Sequence, residues 1–159
     1  MKKNEKEIVI SFGGTDLKNL TVKVINKIKN FDIKFNVSFK IILGPYYKNY
    51  AELYETLRNF KYKYQIVENP ENYACQLINT NYAITAYGVS FYEFLYMNIP
   101  TVNFLVNDQD ANILDKIIKM GIAFKLEEIL SNSEIILDQD AVKKNKMEIF
   151  YKRILKEIE

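Results

Sequence analysis

The sequence predicts an α/β fold, a doubly wound parallel sheet of about six strands, on three observations. Short apolar runs of strand length alternate with stretches of helical period, as in βαβ units whose sheet is covered on both faces. Turn residues close the strands, with glycines directly after the first and the fourth. The 159 residues, 48% of them hydrophobic, suffice for one domain with its own core, and no repeat, linker or low-complexity segment divides residues 1–159.

Glu7 to Phe12, EIVISF, reads as the first strand and runs into Gly13-Gly14-Thr15-Asp16, after which Leu17, Leu20, Val24, Ile25 and Ile28 recur on one helix face. Asn36 to Leu43 is the second strand, alternating through Val37, Phe39, Ile41 and Leu43 and stopped by Gly44-Pro45. A helix carrying Tyr47, Tyr50, Leu53, Tyr54 and Leu57 leads to the third strand, Tyr62 to Val67, and the loop Glu68-Asn69-Pro70. A short helix over Glu71 to Asn79 then delivers the chain to the fourth strand, Tyr82 to Thr85.

Ile84 to Pro100 is the stretch around which the rest is organised. The fourth strand turns over Tyr87-Gly88, and Ser90 stands at the expected N-cap of a helix with Glu93 three residues on, the pattern of a capping box. The first N–H groups of such a helix lack intrahelical partners and sit at the positive end of its dipole, so they favour an anion. Asn98-Ile99-Pro100 stops the helix, Thr101 to Leu105 is the fifth strand, and Val106 to Asp110 is a polar loop. Ile113, Leu114, Ile117 and Ile118 mark a further helix with Gly121 as its C-terminal cap, and Ile122 to Leu126 reads as a sixth strand. Glu127 to Leu137 is irregular or weakly helical, and Asp138 to Glu159, with Val142, Met147, Phe150, Ile154 and Ile158, reads as a surface helix.

Composition narrows the chemistry. A net charge of +2 gives no basic excess of the kind nucleic acid demands. The single cysteine, Cys75, lies among apolar residues and is expected as a buried thiol, which leaves neither disulfides nor cysteine-based metal sites. There are no histidines, so the commonest general base and metal ligand are missing; neither a metal nor a cofactor is expected. No apolar run approaches the ~20 residues of a membrane span, and the first residues carry no signal-peptide pattern, so a cytoplasmic location is expected.

Gly13-Gly14 is not a dinucleotide fingerprint, because no third glycine follows at the right spacing, and no Gly-Lys-Ser/Thr marks a Walker loop. Two glycine turns remain, both at carboxyl ends of strands, where doubly wound sheets bind ligands. Together with Glu93 they describe a phosphate site with a ribose clamp, the carboxylate accepting from vicinal hydroxyls. Plainer readings stand beside this one. Ser90 and Glu93 serve equally as a helix cap, Gly13-Gly14 as a tight turn, Asp16 as the N-cap of the first long helix, and Asp108 and Gln109 as a helix entry.

Ile8 to Asp16, Ala83 to Glu93 with Ile99-Pro100, and Asn107 to Asn112 together resemble the C-terminal, Rossmann-like half of a GT-B nucleotide-sugar enzyme. The likeness is closest to the UDP-sugar hydrolases of pseudaminic-acid biosynthesis and related spore-coat polysaccharide proteins, with MurG-type glycosyltransferases further off. It implies that Gly88, Val89 and Ser90 offer N–H groups to the diphosphate of UDP or a UDP-sugar, that Glu93 holds the ribose, and that the loop around Val67 meets the base. It places Gly13, Gly14 and Thr15 on the cleft facing a partner domain, with Asp108, Gln109 and Asn112 reaching the sugar or phosphate. It also implies that catalysis needs an N-terminal Rossmann-like domain absent from these residues, so that none of them is catalytic. The family usually has Gly-Gly where this chain has Tyr87-Gly88. The second expectation is therefore a non-catalytic module, with Tyr87 plugging the cradle, that acts through protein contacts and pairs as a homodimer through the cleft rim.

Overall fold

The computed structural model describes residues 4–146. Five strands, β1 (Lys6–Ser11), β2 (Val37–Leu43), β3 (Lys63–Glu68), β4 (Tyr82–Ala86) and β5 (Thr101–Phe104), form one sheet in the order β3-β2-β1-β4-β5. Every pairing is parallel. The chain winds outward from β1 through β2 to β3, crosses back, and winds the other way through β4 to β5, so the reversal falls between β1 and β4. The α/β, doubly wound, Rossmann-like prediction holds.

The helices are α1 (Leu20–Lys29), α2 (Tyr50–Leu57), α3 (Tyr73–Gln76), α4 (Val89–Tyr96), α5 (Ala111–Lys119) and α6 (Leu126–Ser131), with residues 139–146 also helical. Alternation within the strands sorts the core into two faces. Ile8, Ile10, Phe39 and Ile41 pack with Val24, Ile25 and Ile28 of α1, Leu53 and Leu57 of α2, and Ile129 and Leu130 of α6. On the other face Val9, Ile42 and Ala83 meet Leu77 behind α3 and Phe94 of α4. A third cluster joins Phe91 and Leu95 of α4 to Ile117, Leu137 and Val142.

Among the described residues the sheet has five strands, and the expected sixth is reduced to one bridge between Val102 and Phe124. The reason is local. Gly121, at φ 72°, ends α5 in a Schellman motif, with Ile122 N–H donating to the Ile117 carbonyl at 3.2 Å. Ile122 and Ala123 then bury themselves in the cluster beside α5, and α6 begins at Leu126, leaving no length for a strand. The stretch from Glu127 to Leu137, expected as irregular or weakly helical, accordingly starts in the short helix α6 and continues without regular structure. Asn98, at φ 62°, ends α4 in the same motif, Ile99 N–H donating to the Phe94 carbonyl at 2.9 Å, so the expected stop at Asn98-Ile99-Pro100 is present.

Two further expectations change. Leu17 is 89% exposed and precedes α1, because Asp16 and Asn19 take left-handed conformations that hold the helix back to Leu20. Cys75 is exposed: α3 lasts only from Tyr73 to Gln76, too short to bury the face on which the cysteine was expected to lie. Met147, Phe150, Ile154 and Ile158 of the expected C-terminal helix lie outside the described residues.

Candidate functional site

β1 and β2 end side by side, Ser11 opposite Ile42, and the chain after each folds over its neighbour. Gly13 turns at φ 79°, a region that costs glycine nothing. Tyr46 N–H, from the loop after β2, donates to the Gly14 carbonyl at 2.9 Å and ties the two loops together. Across the reversal, β4 passes through Gly88 into α4. Gly88 has φ 158° and ψ −149°, a conformation almost confined to glycine, and it is the N-cap of α4.

Because the helix starts at Val89, Ser90 lies within its first turn and makes no cap, so the capping box read from the sequence does not form. Ser90 and Glu93, three residues apart on one helix face, instead turn together toward the ends of β1 and β2. Between these walls and Asn69, Pro70 and Tyr73 lies a cavity of about 300 Å³, at the carboxyl ends of the strands and beside the reversal.

The two helix starts that follow glycine turns differ electrostatically. Asp16 accepts from Leu20 N–H at 2.7 Å and from Thr21 N–H at 2.9 Å, so the start of α1 already carries its own carboxylate. Here the plain reading of Asp16 as a helix cap is the observed one, although Asn19 holds the N-cap position itself. Among the described residues the start of α4 has no side-chain cap, and its first N–H groups stay open. Among the described residues Glu93 is the one charged residue lining the cavity, and it has no ion-pair partner there. The cavity therefore offers N–H and hydroxyl donors at one end and, one helical turn on, a carboxylate acceptor. That arrangement suits a ligand with an anionic part and a hydroxylated part.

Tyr73 stands between these ends. Its phenol donates to Ser11 Oγ at 3.0 Å. Burial pushes its pKa up, and the Glu93 carboxylate adds to the rise. Among the described residues no three His, Cys, Asp or Glu side chains gather as a metal site requires.

The fold thus brings Gly13, Gly14, Ser90 and Glu93 onto one cavity. Gly88 adjoins it through the helix start, with open space where a side chain would be. Val89 is 73% exposed and faces a separate groove between α3 and α4. Val67 packs against the core beside Val9 and Ile42, and the loop it leads into reaches the cavity through Asn69 and Pro70 instead. Thr15, in the turn after β1, Asp108 and Gln109, in a single 3-10 turn after β5, and Asn112, in the first turn of α5, are exposed and lie outside the cavity lining. The segments after β1 and β5 are linked, since the Lys18 ammonium donates to the Val106 carbonyl. Tyr87 is absent from the cavity wall: its ring packs on Phe91 at 5.7 Å between centroids, and its hydroxyl lies 3.0 Å from that of Tyr92.

Ser11, Gly44, Asn69 and Tyr73 line the cavity without having been singled out as site residues in the sequence. Three of them lie at or just beyond a strand's carboxyl end, so applying the strand-end rule to every strand, rather than to the glycine turns alone, would have marked them. Tyr73 had no such signal, because its place depends on how α3 crosses the sheet.

No family model matches the chain. It is similar to an uncharacterized protein of the archaeon Methanocaldococcus jannaschii, 32% identical over 119 residues that cover 74% of this chain and 24% of that protein. The chain thus spans 24% of the length of the curated relative it matches.

Proposed function

We propose that this chain is the nucleotide-sugar-binding domain of a GT-B type enzyme, holding UDP or a UDP-linked amino or deoxy sugar for bacterial surface polysaccharide biosynthesis in the cytoplasm. One observation carries the reading: the Gly13-Gly14 turn, the uncapped start of α4 with Ser90, and Glu93, distant in sequence, share one cavity at the sheet's reversal. In this assignment the open N–H groups of α4 take the diphosphate and Glu93 accepts from the ribose hydroxyls. The reaction is attack at the anomeric carbon with UDP as leaving group, and the α4 N–H groups stabilise the charge that develops on the phosphate.

A second Rossmann-like domain supplies the attacking water or acceptor and its activating base. Thr15, Asp108, Gln109 and Asn112, exposed outside the cavity lining, face that domain. The likeness to a relative much longer than the shared stretch is in keeping with a site completed by another domain. A blocked, non-catalytic module is the weaker reading, because the ring meant to block the site packs against Phe91 instead.

The test is a calorimetric titration with UDP, CMP, ADP and phosphate, repeated on Glu93→Ala. Saturable binding selective for UDP is expected, weakened about tenfold or more by loss of the carboxylate acceptor. Equal affinity for all four ligands, or a Glu93→Ala variant that binds as tightly as the parent, would overturn the assignment.

A further inference from the structure

Ser11 closes β1 at the floor of the cavity and is 5% exposed. Its Oγ accepts the phenolic proton of Tyr73, from the first turn of α3, at 3.0 Å. A serine hydroxyl has one proton to give and room to accept. Tyr73 uses an acceptor position of that oxygen, and among the described residues the Ser11 hydroxyl donates to no other group. The hydroxyl is thus bonded once, as an acceptor, and its donor capacity is still available. The space in front of it is the cavity that Ser11 and Tyr73 both line, which also receives Ser90 and the open start of α4.

Resting on the phosphorylated ligand assigned above, we propose that Ser11 is a ligand-binding hydroxyl that donates to a phosphate oxygen, and that Tyr73 is the positioning residue that aims it. The phenol suits the role because burial keeps it protonated, and hence a donor, through the neutral range. A cavity whose sole charge among the described residues is the Glu93 carboxylate needs each neutral donor it can direct at an anion, and a hydroxyl fixed from behind is already oriented before the ligand arrives.

The experiment measures UDP and pyrophosphate affinity by calorimetry for the parent chain, Ser11→Ala, Ser11→Thr, Tyr73→Phe and the Ser11→Ala/Tyr73→Phe double variant, with the thermal unfolding of each ligand-free protein followed alongside. Expected losses are about five- to twentyfold for Ser11→Ala and somewhat less for Tyr73→Phe, with both ligands, in line with one hydrogen bond to a charged acceptor. The double variant is expected to bind no more weakly than Ser11→Ala, because Tyr73 acts through Ser11. Ser11→Thr, which keeps the hydroxyl and suits a strand, should regain most of the affinity. Unchanged affinity in Ser11→Ala overturns the proposal. So do additive losses in the double variant, or losses that Thr does not restore and that follow unfolding temperature, which mark Ser11–Tyr73 as a structural tie alone. UDP binding that ignores Ser11 defeats this inference and leaves the nucleotide assignment standing. Ser11-dependent binding of pyrophosphate with no preference for UDP does the reverse, and binding of neither ligand by the parent chain defeats both.

Discussion

A β-carbon placed on Gly44 would lie 2.4 Å from the carbonyl oxygen of Gly13, closer than any side chain tolerates. The same carbon would lie 2.4 Å from the α-carbon of Gly14, so the turn after β1 and the end of β2 touch backbone to backbone. Neither contact is the tip of a flexible side chain, and relief requires the turn itself to move.

Gly44→Ala is therefore expected to destabilise the protein by about 1–3 kcal/mol, the usual range for overpacking, and to shift the turn that lines the cavity. Gly14→Ala is the control. Its β-carbon would approach nothing nearer than a Tyr46 ring carbon at 3.9 Å, so it should be neutral or slightly stabilising. Urea unfolding of both variants checks the contrast; equal losses would show that the contact at Gly44 relaxes freely.

Asp16 holds the start of α1 through two N–H groups, and it is 6% exposed. Replacing it with alanine leaves both donors without an acceptor and should cost about 1–2 kcal/mol, measured by the same unfolding. Asp16→Asn keeps one carbonyl acceptor and should recover part of that loss.

Stability should fall with rising pH on the alkaline side. Burial pushes the Tyr47 phenol well above its ordinary range, with the carboxylates of Asp16 and Glu52 adding to it, and burial followed by the Tyr92 hydroxyl does the same for Tyr87. Above about pH 10 the unfolded chain sheds tyrosine protons that the native state keeps, so unfolding gains at most about 1.4 kcal/mol per pH unit for each such group. Below that pH these groups add no slope. Tyr47→Phe should flatten the decline, read as unfolding midpoints between about pH 9 and 12; an unchanged slope would show that Tyr47 ionises as readily in the folded protein as in the unfolded chain.

Cys75 should react with a maleimide in the folded protein as fast as in the unfolded chain, because its side chain is exposed on α3. Protection that disappears only in denaturant would place the thiol in the interior after all.

The fold was legible in the sequence because strand length and helical period alternate without ambiguity from Glu7 to Phe104. The sixth strand misled because Ile122 to Leu126 has the apolar composition of a strand, while its burial is taken up by a helix cluster that composition does not reveal. For Cys75 the neighbours were apolar but belong to a helix of four residues, with Ile78 beyond it 74% exposed. At the site, Gly13, Gly14, Ser90 and Glu93 were found through local rules about turns and helix starts. Ser90 was found for a role it does not play, since nothing in its spacing told that Gly88 would start the helix two residues early. Tyr73 depends on a contact 62 residues away, which no local rule reaches.

The placement of β1 between β2 and β4 also sets how long a loop each of its seams must close. β1 reaches β2 across a single crossover, but its seam with β4 is closed by a reciprocal pair, Glu7 N–H to Asn81 Oδ1 at 2.8 Å and Asn81 N–H to the Glu7 carbonyl at 2.9 Å, between residues 74 positions apart. Closing so long a loop is slow compared with forming a local unit. A nascent chain can assemble β1 to β3 while the walls bearing Ser90 and Glu93 are still unmade. The cavity therefore depends on that long closure, and a ligand that touches both halves stabilises only the chain in which β4 has docked.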